Sequence, residues 1–116
     1  MQRLPRLEPG KTYIISSCGN NRELIFYEEE NYNFFISRMR KYLPKIASVQ
    51  SFDLTPSAFT ITLVIKPESE IEPQYRYRIY QPLSNLLNSY AKAVNKKYGR
   101  EGSLFHARYQ RQTVSN

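Results

Sequence analysis

Hydrophobic residues recur along the chain with two periods, one of two residues and one of three to four. The period of two is clearest at 58–65, where large side chains alternate with small ones. The large residues are Phe59, Ile61, Leu63 and Ile65. Alternation of this kind is typical of a strand with one buried face. A second β-rich run at 49–54 precedes Thr-Pro-Ser, so the two runs predict an antiparallel hairpin.

Two segments have the longer period of amphipathic helices. The first begins after Glu28, Glu29 and Glu30, whose charges suit the first turn of a helix. Its apolar residues are Tyr32, Phe35, Ile36, Met39, Tyr42, Leu43 and Ile46. Pro44 is expected to end or kink this helix, because its ring removes a backbone donor. The second helix is expected between Pro82 and Gly99, with Leu83, Leu86, Leu87, Tyr90 and Val94 on one face.

The remaining segments complete a simple order of elements. Residues 11–18 predict a first strand and residues 103–114 a short last strand, whereas residues 67–75 predict a mobile connection and residues 1–10 an N-terminal arm. The order strand, helix, strand, strand, helix, strand matches a split βαβ plan. We therefore expect one α+β domain over residues 1–116. It would be a ferredoxin-like sandwich of about four antiparallel strands with two helices on one face.

Positive charge is concentrated in residues 75–116. The formal net charge is +7, and this segment has eight basic residues against Glu101 alone. The eight are Arg76, Arg78, Lys92, Lys96, Lys97, Arg100, Arg108 and Arg111. Aromatic residues are interleaved with them, and this combination can bind a polyanionic backbone while its rings stack on bases. Nucleic-acid binding is the expected function of the segment, and a solvated basic face is the alternative.

Several classes of chemistry are disfavoured by what the sequence contains. One histidine and one cysteine cannot form a His/Cys metal cluster or an internal disulfide. No glycine-rich phosphate-binding motif occurs, and Asp53 is the only acid in a predicted strand. The sequence has no apolar segment of membrane-spanning length, so no membrane partner is expected. The single Cys18 favours a reducing, cytoplasmic location.

Two stretches resemble the small single-tyrosine HUH transposases, which include those associated with REP elements. They are GNNRELIFYEEENYNFF at 19–35 and NSYAKAVNKKYGREGSLFHARYQR at 88–111. The resemblance spans nearly the whole chain. It implies a tyrosine that attacks a DNA phosphate, a divalent metal such as Mg²⁺ or Mn²⁺ held by two strand histidines, and a homodimer.

The resemblance fails at the metal-binding histidines. Two imidazoles at i and i+2 on a strand project from one face about 6.5–7 Å apart, a span that one divalent ion can bridge. In the matching frame, LTPSAFTI at 54–61, those positions hold Ala58 and Thr60. Alanine cannot ligate a metal, and a threonine hydroxyl is a poor ligand for ions that favour imidazole. No cofactor is therefore expected.

The resemblance also implies roles for two residues of the second helix. Tyr90 matches the nucleophile, on a helix that covers the face bearing positions 58 and 60, whereas periodicity alone places Tyr90 in the core. Asn95 matches a polar group that supports the metal site, and the alternative is a solvent-facing helix amide.

Together these features predict a transposase-like protein that binds single-stranded or hairpin DNA, as a homodimer, with impaired catalysis. One alternative is a non-enzymatic regulator that binds DNA or RNA and derives from a transposase. Another is a structural relic or dimerisation module without nucleic-acid binding. The basic, aromatic segment weighs against the relic, and the missing histidines weigh against an active enzyme.

Overall fold

The computed structural model describes residues 6–106 and 109–114 and confirms the α+β fold. Its strands are β1 (Thr12–Cys18), β2 (Ala47–Thr55), β3 (Ala58–Ile65) and β4 (Gln110–Thr113). They form one antiparallel sheet in the order β2-β3-β1-β4. The helices are α1 (Glu29–Tyr42) and α2 (Gln81–Lys97). Within the described residues, neither helix has the length and apolar character needed to cross a membrane.

Strand β3 determines which face of the sheet the helices cover. Its side chains alternate as predicted, with Phe59, Ile61, Leu63 and Ile65 buried. The Phe59 ring lies 5.4 Å from the ring of Phe35 on α1 and 5.7 Å from that of Phe105. Thr60, which points to the opposite face, is exposed. The sheet therefore has a helix-covered face, which carries Phe59, and an open face, which carries Ala58 and Thr60.

The helices end where the sequence predicts. A capping box formed by Glu28 and Asn31 satisfies backbone donors at the start of α1. At its other end, Pro44 lies in a short 3₁₀ helix, Leu43–Lys45, that directly follows α1. Gly99 follows the C-cap of α2 with φ near +63°, a conformation that glycine adopts at little cost.

Two segments outside these elements are more closely packed than their composition suggests. Residues 67–75 form two 3₁₀ turns, Glu68–Glu70 and Pro73–Tyr75, and Ile71 between them is buried. This packing differs from the predicted mobile connection. In the N-terminal segment Leu7 is buried. The hydroxyl of Tyr13 accepts a hydrogen bond from the Glu8 backbone N–H and donates one to the carbonyl of Arg6.

Paired substitutions on β3 test this assignment of faces. Phe59→Ala should lower the free energy of unfolding by about 3–5 kcal/mol, because it removes a buried ring from the contact between helices and sheet. Thr60→Ala, next to it on the open face, should change stability by less than about 0.5 kcal/mol. Urea unfolding followed by circular dichroism measures both values, and equal effects would contradict the assignment.

Candidate nucleic-acid interface

The open face holds the two positions that match the missing histidines. Ala58 lies between Thr55 and Cys18 on the neighbouring strands, and Thr60 lies between Asp53 and Ser16. These residues do not fit a divalent ion held by two imidazoles, because Ala58 offers no donor and Thr60 only a hydroxyl. Among the residues that the structure describes, no three His, Cys, Asp or Glu side chains come together as a metal site.

The side chain of Tyr90, on α2, lies in the hydrophobic core. Its side chain is 0% exposed, and its ring contacts those of Phe35 at 5.1 Å and Phe26 at 5.5 Å. Its hydroxyl donates a 2.5 Å hydrogen bond to the carbonyl of Ile25. Burial raises the pKa of this phenol well above its ordinary value, which opposes formation of a nucleophilic phenolate.

The expected relation between Tyr90 and positions 58 and 60 is therefore wrong. Tyr90 belongs to the aromatic cluster around Phe59, on the helix-covered face. Ala58 and Thr60 point to the open face, because strand side chains alternate. The sheet separates the Tyr90 hydroxyl from positions 58 and 60.

Asn95 fixes the loop that follows α2. Its side-chain oxygen accepts a 2.5 Å hydrogen bond from Arg100, and its amide donates to the carbonyl of Gly102 at 2.9 Å. Arg100 also pairs with Glu23 at 3.1 Å. Asn95 is therefore not a free solvent-facing amide, and its hydrogen bonds hold the loop after α2 in place.

Lys97, at the end of α2, joins the two helices rather than standing alone as a cation. It pairs with Glu28 at 3.1 Å and with Glu30. The hydroxyl of Tyr98 donates to Glu28 as well, and this hydrogen bond together with Lys97 lowers the pKa of the Glu28 carboxyl. Lys97 and Arg100 were both expected to contact phosphates. The fold instead pairs them with acids from the first third of the chain.

The other predicted cations occupy different surfaces. Arg78, Lys92 and Lys96 are exposed, and Lys92 lines a shallow cavity with Tyr42 and Asn85 between the two helices. Arg108 lies outside the described residues. Of the predicted cations that the structure describes, Arg76 and Arg111 line one common depression.

That depression, here called the arginine–tyrosine groove, has a volume of about 370 Å³. Its cations are Arg6, Arg76 and Arg111, and its exposed rings are Tyr77 and Tyr80. Tyr77 is 92% exposed and Tyr80 44%. Cations beside exposed rings offer ionic contact to phosphates and stacking surfaces to bases.

Two acids also line the groove, but they do not cancel its charge. Glu8 is paired with Lys11 at 2.6 Å, and this hydrogen-bonded lysine lowers the pKa of the Glu8 carboxyl. Lys11 thus offsets one of the two negative charges. Glu68 is the second acid, so the arginines still give the groove an excess of positive charge.

A second cavity, here called the α2–β4 cleft, continues from the groove. Tyr80 and Arg111 line both cavities, and the cleft has a volume of about 690 Å³. Arg111 stacks on the ring of Tyr109 at 5.1 Å and donates to its hydroxyl at 2.8 Å. The two cavities form one continuous surface along the edge of the helix layer.

Sequence reasoning missed Arg6 and the polar lining of the cleft. Arg6 belongs to the N-terminal part of the chain, where positive and negative residues balance, so the charge pattern gave no signal for it. The hydrogen bonds of Tyr13 hold this segment against the sheet and place Arg6 beside Arg76. Tyr77 and Tyr80 were recognisable as interleaved aromatics, but their exposure depends on the fold.

Comparison with solved structures identifies a similar fold. The fold is similar to that of a REP-associated tyrosine transposase solved in complex with a REP hairpin, with a TM-score of 0.63 and 12% sequence identity. The alignment covers 100% of this chain but 64% of the transposase chain. No protein family and no curated protein matches the sequence. At this identity the similarity shows a shared fold and nothing more.

The packing of Tyr90 leads to a stability prediction. Tyr90→Phe should lower the free energy of unfolding by about 1–3 kcal/mol, because the buried carbonyl of Ile25 loses its hydrogen-bond donor. Thermal or urea unfolding measures the change. Ser89→Ala is the control on the neighbouring, half-buried position of α2 and should have a smaller effect. Unchanged stability in Tyr90→Phe would contradict the structural role.

Proposed function

We propose that this protein binds single-stranded or hairpin DNA through the arginine–tyrosine groove and that it is a transposase relative without cutting activity of its own. The observation that carries the proposal is the groove itself, where three arginines lie beside two exposed tyrosines. Arg78, Lys92 and Lys96 are exposed as well, but they lie outside the groove.

The fold similarity supports DNA as the partner. The transposase that shares this fold is bound to a REP hairpin in its structure. Unpaired bases suit the groove better than a closed duplex, because a stacked base pair does not present its rings to protein side chains. A regulator that binds RNA would use the same groove, and a direct comparison of DNA and RNA oligomers separates the two.

The lack of cutting activity is proposed from two features. Ala58 and Thr60 do not supply the ligands that hold a catalytic metal in the resembling family, and Tyr90 is buried on the other side of the sheet. A covalent-adduct assay with hairpin DNA and Mg²⁺ or Mn²⁺ tests this part of the proposal. A tyrosyl–DNA adduct formed by the unmodified protein would refute it.

The groove predicts a specific pattern of mutational effects. Arg6→Ala with Arg76→Ala should weaken binding and reduce the slope of log K against log [salt] by about 1.4 for a single strand, because two phosphate contacts are lost. Tyr77→Ala should weaken binding by about 5- to 150-fold through lost stacking. Fluorescence anisotropy with a labelled oligonucleotide at several salt concentrations measures both effects.

Arg22→Ala is the matched control for the loss of an arginine. Arg22 is exposed in the short 3₁₀ helix Asn20–Arg22 after β1 and lines neither the groove nor the α2–β4 cleft. Its loss should leave both the affinity and the salt slope close to those of the unmodified protein. Equal weakening in the control, or binding that does not depend on salt, would contradict the proposed groove.

The proposal includes a homodimer formed through β2. Among the strands that the structure describes, this nine-residue strand lies at the edge of the sheet beside β3, so its outer backbone groups are available to a second strand. Val49 and Phe52 on it are 37% and 46% exposed. Antiparallel pairing of two β2 strands about a twofold axis would satisfy the backbone groups and bury these side chains.

Substitution of Phe52 tests the dimer. Phe52→Lys should convert a dimer into a monomer of 13.7 kDa, because a charge would be buried at the centre of the contact. Light scattering after size-exclusion chromatography measures the mass. Leu24→Lys, which changes an exposed leucine outside β2, should remain dimeric. A monomeric unmodified protein at micromolar concentration would contradict this part of the proposal.

A further inference from the structure

The α2–β4 cleft differs in chemistry from the groove that it joins. Its floor is apolar, formed by Leu87, Leu104 and Phe105, and its rim carries the hydroxyls of Ser84 and Ser103 and the amide of Asn88. Its volume of about 690 Å³ lies within the range of about 300–1,000 Å³ that is typical of small-molecule sites. A flat, largely apolar group with a polar edge would match such a lining.

Asn88 is the residue of the cleft best suited to recognise a ligand. It is exposed on α2, and its side chain makes no hydrogen bond to the described part of the chain. By contrast, Asn85, one turn earlier on the same helix, accepts a 3.0 Å hydrogen bond from Gln81. The Asn88 amide therefore has both a donor and an acceptor available to a molecule in the cleft.

We infer that the α2–β4 cleft binds one unpaired adenine base of the bound strand, with Asn88 as the residue that selects it. This inference rests on the proposed DNA binding in the arginine–tyrosine groove. Tyr80 and Arg111 line both cavities, so a strand held in the groove can place its next base in the cleft. There the apolar floor of the cleft packs against the face of the base, and the polar rim hydrogen-bonds to the edge of the base.

On its N6/N7 edge, adenine differs from the other bases in its hydrogen-bond pattern. An asparagine amide matches the donor at N6 and the acceptor at N7 of adenine, whereas guanine presents two acceptors on that edge and is usually recognised by arginine. The arginine of the cleft, Arg111, already donates to the Tyr109 hydroxyl at 2.8 Å and stacks on that ring. The amide of Asn88 thus gives the cleft its base preference.

The test uses labelled oligothymidines of about ten nucleotides, within the site sizes of single-strand binding proteins. The central position carries dT, dA, dG, dC or 7-deaza-dA, which lacks the N7 acceptor. In fluorescence anisotropy the dA oligomer should bind about 5- to 150-fold more tightly than the dT oligomer. Most of this preference should disappear with 7-deaza-dA.

Two variants separate this inference from the proposed function. Asn88→Ala should abolish the preference for dA but leave the affinity for all-dT DNA and its salt slope unchanged. Asn85→Ala, the matched asparagine outside the cleft, should retain the preference. Circular dichroism checks that both variants are folded, as expected for side chains on the helix surface.

The outcomes are distinct. Salt-dependent binding with no base preference, a preference for dG, or a preference for dA that survives in Asn88→Ala would overturn the inference and leave the proposed DNA binding intact. Failure of the unmodified protein to bind any oligomer would refute the proposed function and the inference together.

Discussion

The alternation of side chains along β3 is the constraint on which the rest of the structure depends. The large apolar side chains on one face of β3, from Phe59 to Ile65, must be shielded from water, and α1 and α2 pack on this face. Phe35 of α1 and Tyr90 of α2 lie at the centre of the aromatic cluster there. Burial of such rings contributes several kcal/mol each relative to alanine. Once the helices occupy this face, Ala58 and Thr60 must lie on the other.

The same constraint explains how far the sequence could predict the fold. Hydrophobic periodicity and the helix-breaking residues proline and glycine are local signals in the sequence. They made it possible to predict the hairpin at Pro56, the end of α1 at Pro44 and the end of α2 at Gly99. The packing of residues 67–75 was not, because Ile71 is a single apolar residue among glutamates and prolines. A single side chain carries no periodicity, and its burial depends on distant contacts.

The candidate site was less predictable because electrostatics acts through space. Lys97 and Arg100 belong to the basic segment of the sequence, yet the fold brings them against Glu28 and Glu23, about 70 residues earlier in the chain. Arg6, from the balanced N-terminal part, instead joins Arg76. A charge count along the sequence thus identified two of the groove's three arginines, Arg76 and Arg111, but missed Arg6.

The separation of the two faces gives the proposed function its physical basis. Positions 58 and 60 lie on the open face, whereas the arginine–tyrosine groove is built from the N-terminal segment, the segment that leads into α2, and Arg111 of β4. Neither surface shares a side chain with the other. The proposed DNA binding therefore does not depend on the residues at positions 58 and 60, because substitutions on the open face disturb neither the core around Tyr90 nor the groove.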